Sequence, residues 1–292
     1  VQSPPLRKYD DLSGKTFLIG VGAMRTASSW IYTYLGSMQD VVVSPLKELH
    51  FFNIKFPSYL MSDMDAFAMK RLGFYMEQEG GAVRNLRAGD AFQASVDRVQ
   101  MIYDDNAYFG HFARLCSQKT KAFCDLTPGY AVIGPSGFEY LKEFCATQGC
   151  RVKLLFVMRD PVNRMWSQLR HLHDINPENV SLDNWQAAIE SDTFYIRSDY
   201  AGTVSDLDTT FASDDLLYLF YEDLFEEATL RRLCGFVGVD YRPPKVEARI
   251  NEARTQDDIS AEVRKALLYR LEPQYEFCRD RFGDAIPEAW QG

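Results

Sequence analysis

The chain has 292 residues, 46% hydrophobic and 25% charged, which is ordinary globular content and enough for one large domain or two small ones. Its formal net charge of −9 provides no general basic footprint, which argues against nucleic-acid binding and against attraction to anionic membranes. Any anion it binds must therefore be held by local groups.

Thr16 to Val21 has the length and β-branched content of a buried strand, and Trp30, Ile31, Tyr34, Leu35 and Met38 then recur at helical spacing. Between them lies a tight loop, Gly22-Ala-Met-Arg25-Thr-Ala-Ser-Ser29, with small residues around one cation. A helix N-terminus presents unpaired N–H groups and a positive dipole end, and small residues let an anion's oxygens approach the backbone. The loop suits a phosphate. It lacks the Gly-Lys-Ser/Thr of an ATP-binding Walker loop.

Val41-Val-Val-Ser44 reads as a short strand running into Lys47-Glu48-Leu-His50-Phe-Phe52. Residues 58–115 mix helical periodicity with many aromatic residues and methionines, and read as helices and loops over one face, a lid or acceptor wall. Lys121 to Asp125 is a buried strand ending in Leu-Thr127-Pro-Gly-Tyr130, and a helix from about Ser136 to Thr147 stops at Gly149. Arg151 to Met158, nearly continuous in apolar residues, is a central parallel strand leading into Arg159-Asp-Pro-Val-Asn-Arg164-Met-Trp-Ser167. Ser181 caps a helix through Glu190, Leu216 to Phe220 is a further strand, and Tyr221-Glu-Asp-Leu224 turns into a helix carrying Leu230, Leu233 and Phe236 and ending near Gly238. A last amphipathic helix begins after Ser260, with Val263, Leu267, Leu271, Tyr275, Cys278 and Phe282 on one stripe.

This alternation predicts an α/β chain: a central parallel sheet with helices on both faces, ligands binding beyond the carboxyl ends of the strands. Residues 1–15 read as an N-terminal tail and 16–292 as a single domain with a helical insertion at about 53–118. No apolar run reaches a membrane span, so no stable membrane insertion is expected. The six cysteines are dispersed and read as reduced core thiols, with a Cys145–Cys150 disulfide or metal site as the alternative; no other metal-ligand spacing occurs. Unpaired thiols and the lack of an apolar centre in residues 1–15 point to a cytoplasmic setting.

The loop at 22–30, Lys47 to Phe52, Asp125 to Tyr130, Arg159 to Ser167 and Tyr221 to Leu224 occur in the order seen in sulfotransferases, and the chain resembles that family over residues 16–285. The Lys-Glu-x-His-Phe-Phe segment is most similar to the carbohydrate-type, heparan-sulfate-like branch and its bacterial relatives. The resemblance implies a P-loop-NTPase-like sulfotransferase fold and 3′-phosphoadenosine-5′-phosphosulfate, PAPS, as donor, giving adenosine 3′,5′-bisphosphate without a metal. It places the 5′-phosphosulfate on Arg25, Thr26, Ala27, Ser28, Ser29 and Trp30, with Arg25 where lysine is usual, as the catalytic cation that would neutralise charge on the bridging oxygen as sulfate leaves, and Ala27 where glycine is usual. Arg159 and Ser167, about two helical turns apart, correspond to the pair that grips the 3′-phosphate. Arg164 reads as solvated or salt-bridged. Arg249 and Arg254 are candidates for the closing loop, which here lacks glycine.

Glu48 matches the carboxylate that takes the acceptor's proton, and Lys47 would steady the transferring sulfate. If the segment is extended, Glu48 and His50 project to one side, leaving His50 as the alternative base or as the partner that orients Glu48. Thr127 and Tyr130 are expected to line the cleft. The acidic chain disfavours a long polyanionic acceptor, so a neutral sugar, glycolipid or small hydroxylated molecule is expected. A P-loop kinase-like phosphotransferase and a degenerate, non-catalytic nucleotide-binding protein are the alternatives.

Overall fold

The computed structural model describes residues 5–59, 62–176, 178, 180–245 and 259–290. Five strands form one parallel sheet: β1 (Thr16–Gly22), β2 (Val41–Val43), β3 (Ala122–Leu126), β4 (Arg151–Met158) and β5 (Leu216–Phe220), in the order β2-β3-β1-β4-β5. β1 lies at the centre, Thr16 pairing with Ala122 on one side and with Arg151 on the other. All seven of its residues are buried. This follows from its sequence, because a strand covered on both faces has no polar side to alternate with.

The helices come in chain order. α1 (Ser28–Gly36) joins β1 to β2. α2 (Phe51–Lys55), α3 (Met64–Met76), α4 (Ala82–Ala88), α5 (Asp90–Gln100) and α6 (Asn106–Leu115) fill the stretch before β3. α7 (Gly134–Ala146) precedes β4, and α8 (Pro161–Ile175), α9 (Trp185–Glu190), α10 (Asp192–Tyr195) and α11 (Tyr200–Thr210) lead to β5. α12 (Glu227–Val237) and α13 (Ala261–Phe282) follow. The helix expected from Ser181 begins as a 3₁₀ turn, Leu182–Asn184, which Ser181 caps.

Two apolar cores sandwich the sheet. Leu18, Trp30, Leu35, Leu230 and Leu233 join α1 and α12 to one face. Phe17, Ile19, Phe112, Phe138, Leu141 and Leu271 join α6, α7 and α13 to the other. Phe17 and Leu18, adjacent in sequence, thus enter opposite cores. Gly238 ends α12 in the left-handed conformation at φ 84°, which a side chain would resist.

The chain leaves β1 through α1 toward β2 and leaves β4 toward β5, in opposite directions from neighbouring strands. That reversal opens a crevice beyond the carboxyl ends of β1 and β4, the place where open α/β sheets bind ligands. The first residues beyond those ends are the loop carrying Arg25, and Arg159.

Candidate active site

The β1–α1 loop is tied down from within. Ala23 N–H donates to Val157 O at 2.8 Å, and the Thr26 hydroxyl donates to Ala23 O at 2.6 Å. Arg25 and Ala27 both adopt left-handed backbone conformations, at φ 69° and 63°. Ala27 is the residue just before α1, so the position where the resemblance expects glycine has the geometry glycine favours. Thr26 is buried. Trp30 is also buried, stacked on Tyr34 at 5.1 Å and edge-on to Phe225, so its ring belongs to the core instead of the loop surface.

Arg25 reaches Ser167 on α8. Its Nε donates to Ser167 Oγ at 3.2 Å, and Arg159 Nη1 lies 3.4 Å from Arg25 O while its guanidinium stacks 4.6 Å over the Tyr221 ring. Arg25, Arg159 and Ser167 thus meet at one point. Burial lowers the Arg25 pKa, and Arg159 and Arg170 nearby lower it further, against Asp174 and Tyr221, which raise it. Positive charge is concentrated here on a chain that is acidic overall. An anion would relieve that repulsion.

Asp160 makes this arm rigid. It is buried, accepts Asn163 N–H at 2.8 Å as the cap of α8, and accepts the Tyr275 hydroxyl at 2.5 Å. Arg164, read from the sequence as solvated or salt-bridged, is fully buried one turn before Ser167. Its Nε and Nη2 donate to Ser198 Oγ at 3.0 and 2.5 Å and its Nη1 to Gln168 Oε1 at 2.7 Å. Burial brings its pKa down to about 10.

The second half of the site is Lys47 to His50. Lys47 Nζ lies 2.9 Å from Glu48 Oε1, 3.2 Å from Ser28 Oγ and 3.4 Å from Ser29 Oγ. His50 Nε2 lies 3.2 Å from Glu48 Oε2, and its Nδ1 is 2.9 Å from Asn53 Oδ1. Each carboxylate oxygen has its own partner. The segment is not extended, however: His50 sits at φ 53°, and this left-handed turn brings its ring back to Glu48. Burial by itself would raise the Glu48 pKa, but the hydrogen bond from His50 and the charge of Lys47 outweigh it and hold the pKa at about 2.

Thr127 and Tyr130 are fully buried and present no surface to the cleft. Thr127 Oγ1 accepts Leu49 N–H at 3.1 Å and Tyr130 OH accepts Phe51 N–H at 3.1 Å, so both hold the segment from below. Arg98, absent from the sequence-based set, donates its Nε to Leu49 O at 2.6 Å across 49 residues of chain, a contact no local pattern announces. Asn53 was legible in principle, since it lies three residues after His50 on the first turn of α2.

Ser44, His111 and Asp97 form a second polar line: His111 Nε2 is 3.0 Å from Ser44 Oγ and its Nδ1 is 2.8 Å from Asp97 Oδ2. Both Ser44 and His111 are buried, and Ser44 Oγ accepts Leu46 N–H at 3.1 Å, so this line braces the approach to Lys47. Arg249 and Arg254 lie outside the described residues. Among the described residues no group of three or more His, Cys, Asp or Glu side chains is placed to hold a metal ion, all six cysteines are free thiols, and no helix is long and apolar enough to cross a membrane.

The sequence pattern described as the sulfotransferase family matches residues 18–243. A sulfotransferase from Alicyclobacillus acidocaldarius has a similar structure, with a TM-score of 0.64 at 19% identity, over 96% of this chain and 99% of that one. The sulfotransferase domain from the curacin biosynthetic pathway gives 0.50 at 17% identity, over 80% and 76%. At such identities the likeness is one of fold. No curated protein matches significantly.

Proposed function

The chain belongs to the sulfotransferase family, and we propose that it transfers a sulfuryl group from PAPS to a hydroxyl, with an amine as the second choice of acceptor group, of a neutral sugar, glycolipid or small molecule. The observation that carries this reading is the position of Lys47 Nζ, within 3.4 Å of the Ser28 and Ser29 hydroxyls on the loop and 2.9 Å from the Glu48 carboxylate. One cation joins the anion-binding loop to a candidate base.

The N–H groups at the start of α1 and the hydroxyls of Ser28 and Ser29 would hold the 5′-phosphate. Arg159 and Ser167 would hold the 3′-phosphate, and Arg25, hydrogen-bonded to Ser167, joins them there. The role that the resemblance gives to the loop cation, neutralising the bridging oxygen as it leaves, passes in this reading from Arg25 to Lys47. When bound, PAPS supplies the sulfuryl group, and its anhydride S–O bond breaks as the acceptor oxygen bonds to sulfur.

Glu48 takes the acceptor's proton, although with a pKa of about 2 it is a poor base in the free protein. The low value arises from His50 and Lys47. When Lys47 turns to the phosphosulfate, Glu48 loses one counter-charge and gains basicity, so proton removal is tied to donor binding. His50, held by Asn53, keeps the carboxylate oriented.

α3 supports an acceptor with an apolar or sugar face. Phe67 and Phe74 stand exposed along it, and Arg71, stacked 4.6 Å over Phe67, reaches to within 3.5 Å of Lys47 O. The net charge of −9 argues against a polyanion.

The test is calorimetric titration of metal-free protein with adenosine 3′,5′-bisphosphate and with ATP, repeated on an Arg159→Ala, Ser167→Ala double variant. Tight binding by the parent, lost in the variant and weak for ATP, is expected. A folded parent that binds neither nucleotide would remove the enzyme reading.

A further inference from the structure

We infer that Asp125 is a positioning residue for catalysis, fixing the Glu48–His50 segment through the hydroxyls of Thr127 and Tyr130. The inference rests on the reading of Glu48 as the base.

Asp125 is the fourth residue of β3 and only 2% exposed. Its Oδ1 accepts the Thr127 hydroxyl at 2.6 Å, and its Oδ2 accepts the Tyr130 and Tyr108 hydroxyls at 2.8 and 2.7 Å. Thr127 and Tyr130 then each accept a backbone N–H, from Leu49 and from Phe51, both at 3.1 Å. The two relays run in parallel from one carboxylate to the N–H groups of the residues on either side of His50.

The direction of these bonds matters. A hydroxyl has one proton, and as long as that proton goes to Asp125 its lone pairs are left for the N–H above. An ionised carboxylate only accepts, so it fixes this polarity in both relays at once. An asparagine would offer an NH₂ to one hydroxyl and reverse that relay. Burial raises the Asp125 pKa overall and is only partly opposed by the hydroxyls of Thr127, Tyr108 and Tyr130 and by the nearby His50, so the polarity rests on the geometry, in which three hydroxyls point at the two carboxylate oxygens.

What the relays hold is a strained segment. His50 is left-handed at φ 53°, a conformation that a non-glycine residue resists and that persists only where its surroundings fix it. Loosening Leu49 and Phe51 would let His50 relax and swing Glu48 off the line between acceptor and sulfur. Asp125 is too far inside to touch substrate, so its effect appears in turnover and not in donor affinity.

The experiment measures release of adenosine 3′,5′-bisphosphate from PAPS, with water and with methyl β-glucoside as acceptors, and binding of the bisphosphate by calorimetry. The proteins are the parent, Glu48→Gln, Asp125→Asn, Thr127→Val, Tyr130→Phe and the Glu48→Gln, Asp125→Asn double variant. Asp125→Asn should lower kcat on the order of 10- to 100-fold, as expected for a base displaced by an ångström or less. Its bisphosphate affinity should stay within about twofold of the parent, and in the Glu48→Gln background it should cost little more, because a positioning residue has nothing left to position. If Asp125→Asn does not fold, Thr127→Val and Tyr130→Phe, which remove one relay each, decide by the same criteria. Parent-like turnover, a parallel loss of bisphosphate affinity, or full additivity with Glu48→Gln overturns the inference while leaving the base assignment intact. No effect of Glu48→Gln, or no turnover by the parent, overturns the base assignment and the inference together.

Discussion

Lys47 Nζ and Glu48 Oε1 are 2.9 Å apart, and the same ammonium is 3.2 Å from the Ser28 hydroxyl, so the base candidate and the anion loop share one cation. The Glu48 pKa of about 2 lies below the ordinary 4.5. Its ionised form is therefore favoured by folding, a contribution present in full above pH 4.5 and lost as the pH falls toward 2. Glu48→Gln should flatten the decline of stability over that window, read as the shift of the urea midpoint between pH 5 and pH 2.5. Lys47→Met should raise the Glu48 pKa toward 4.5, visible in the carboxyl carbon resonance, and should abolish turnover. An unchanged Glu48 titration in Lys47→Met would show that Lys47 does not set its basicity.

Ala27 carries the loop through φ 63°. Glycine enters this region at no steric cost, whereas an L-residue pays about 1 kcal/mol. Ala27→Gly should raise stability by up to ~1 kcal/mol, part of it offset by the greater freedom of glycine in the unfolded chain. The affinity for adenosine 3′,5′-bisphosphate should be retained. Weaker binding would mean that the alanine methyl itself shapes the anion site.

The strands were legible because each is a short, almost unbroken apolar run, as Arg151 to Met158 illustrates, and such runs fit only a sheet covered on both faces. Arg159 and Ser167 could be paired from their spacing on one helix. The direction in which Arg25 points could not, because it depends on a hydrogen bond to Ser167 made across 142 residues. The burial of Thr127 and Tyr130 was hidden for a similar reason. A threonine and a tyrosine beyond a strand look like cleft residues until a carboxylate on that strand, Asp125, draws their hydroxyls inward. His50 misled in the opposite sense: an extended segment and a left-handed turn both bring it to Glu48, and only backbone coordinates distinguish them.

Gly129 packs directly beneath the His50 pair. A Cβ there would sit 3.0 Å from Asn53 Oδ1 and 3.1 Å from His50 Cε1, closer than ordinary contact. Gly129→Ala should push the imidazole and Asn53 upward by a few tenths of an ångström and lengthen the His50–Glu48 contact. The expected result is a folded protein with several-fold lower kcat and unchanged bisphosphate affinity. Turnover equal to the parent's would indicate that the His50 position tolerates such shifts.

Asp160 makes the sharpest test of the Arg159 arm because two of its functions can be separated. Its Oδ1 caps α8 through Asn163 N–H, and its Oδ2 accepts the Tyr275 hydroxyl from α13, while its own N–H donates to Glu222 Oε1 at 2.9 Å. Asp160→Ala removes both side-chain bonds, at a cost of about 1–2 kcal/mol for the cap and a further loss for the stranded Tyr275 hydroxyl. Asp160→Asn keeps an acceptor oxygen for the cap but turns an amide toward Tyr275. Because Arg159 and Ser167 bracket the start of α8, fraying there should separate them. Bisphosphate affinity should therefore fall in the order parent, Asp160→Asn, Asp160→Ala, tracking the loss of melting temperature. Affinity that holds while stability drops would show that Arg159 is fixed by other contacts, of which the Tyr200 hydroxyl, 2.8 Å from Arg159 O, is the nearest candidate.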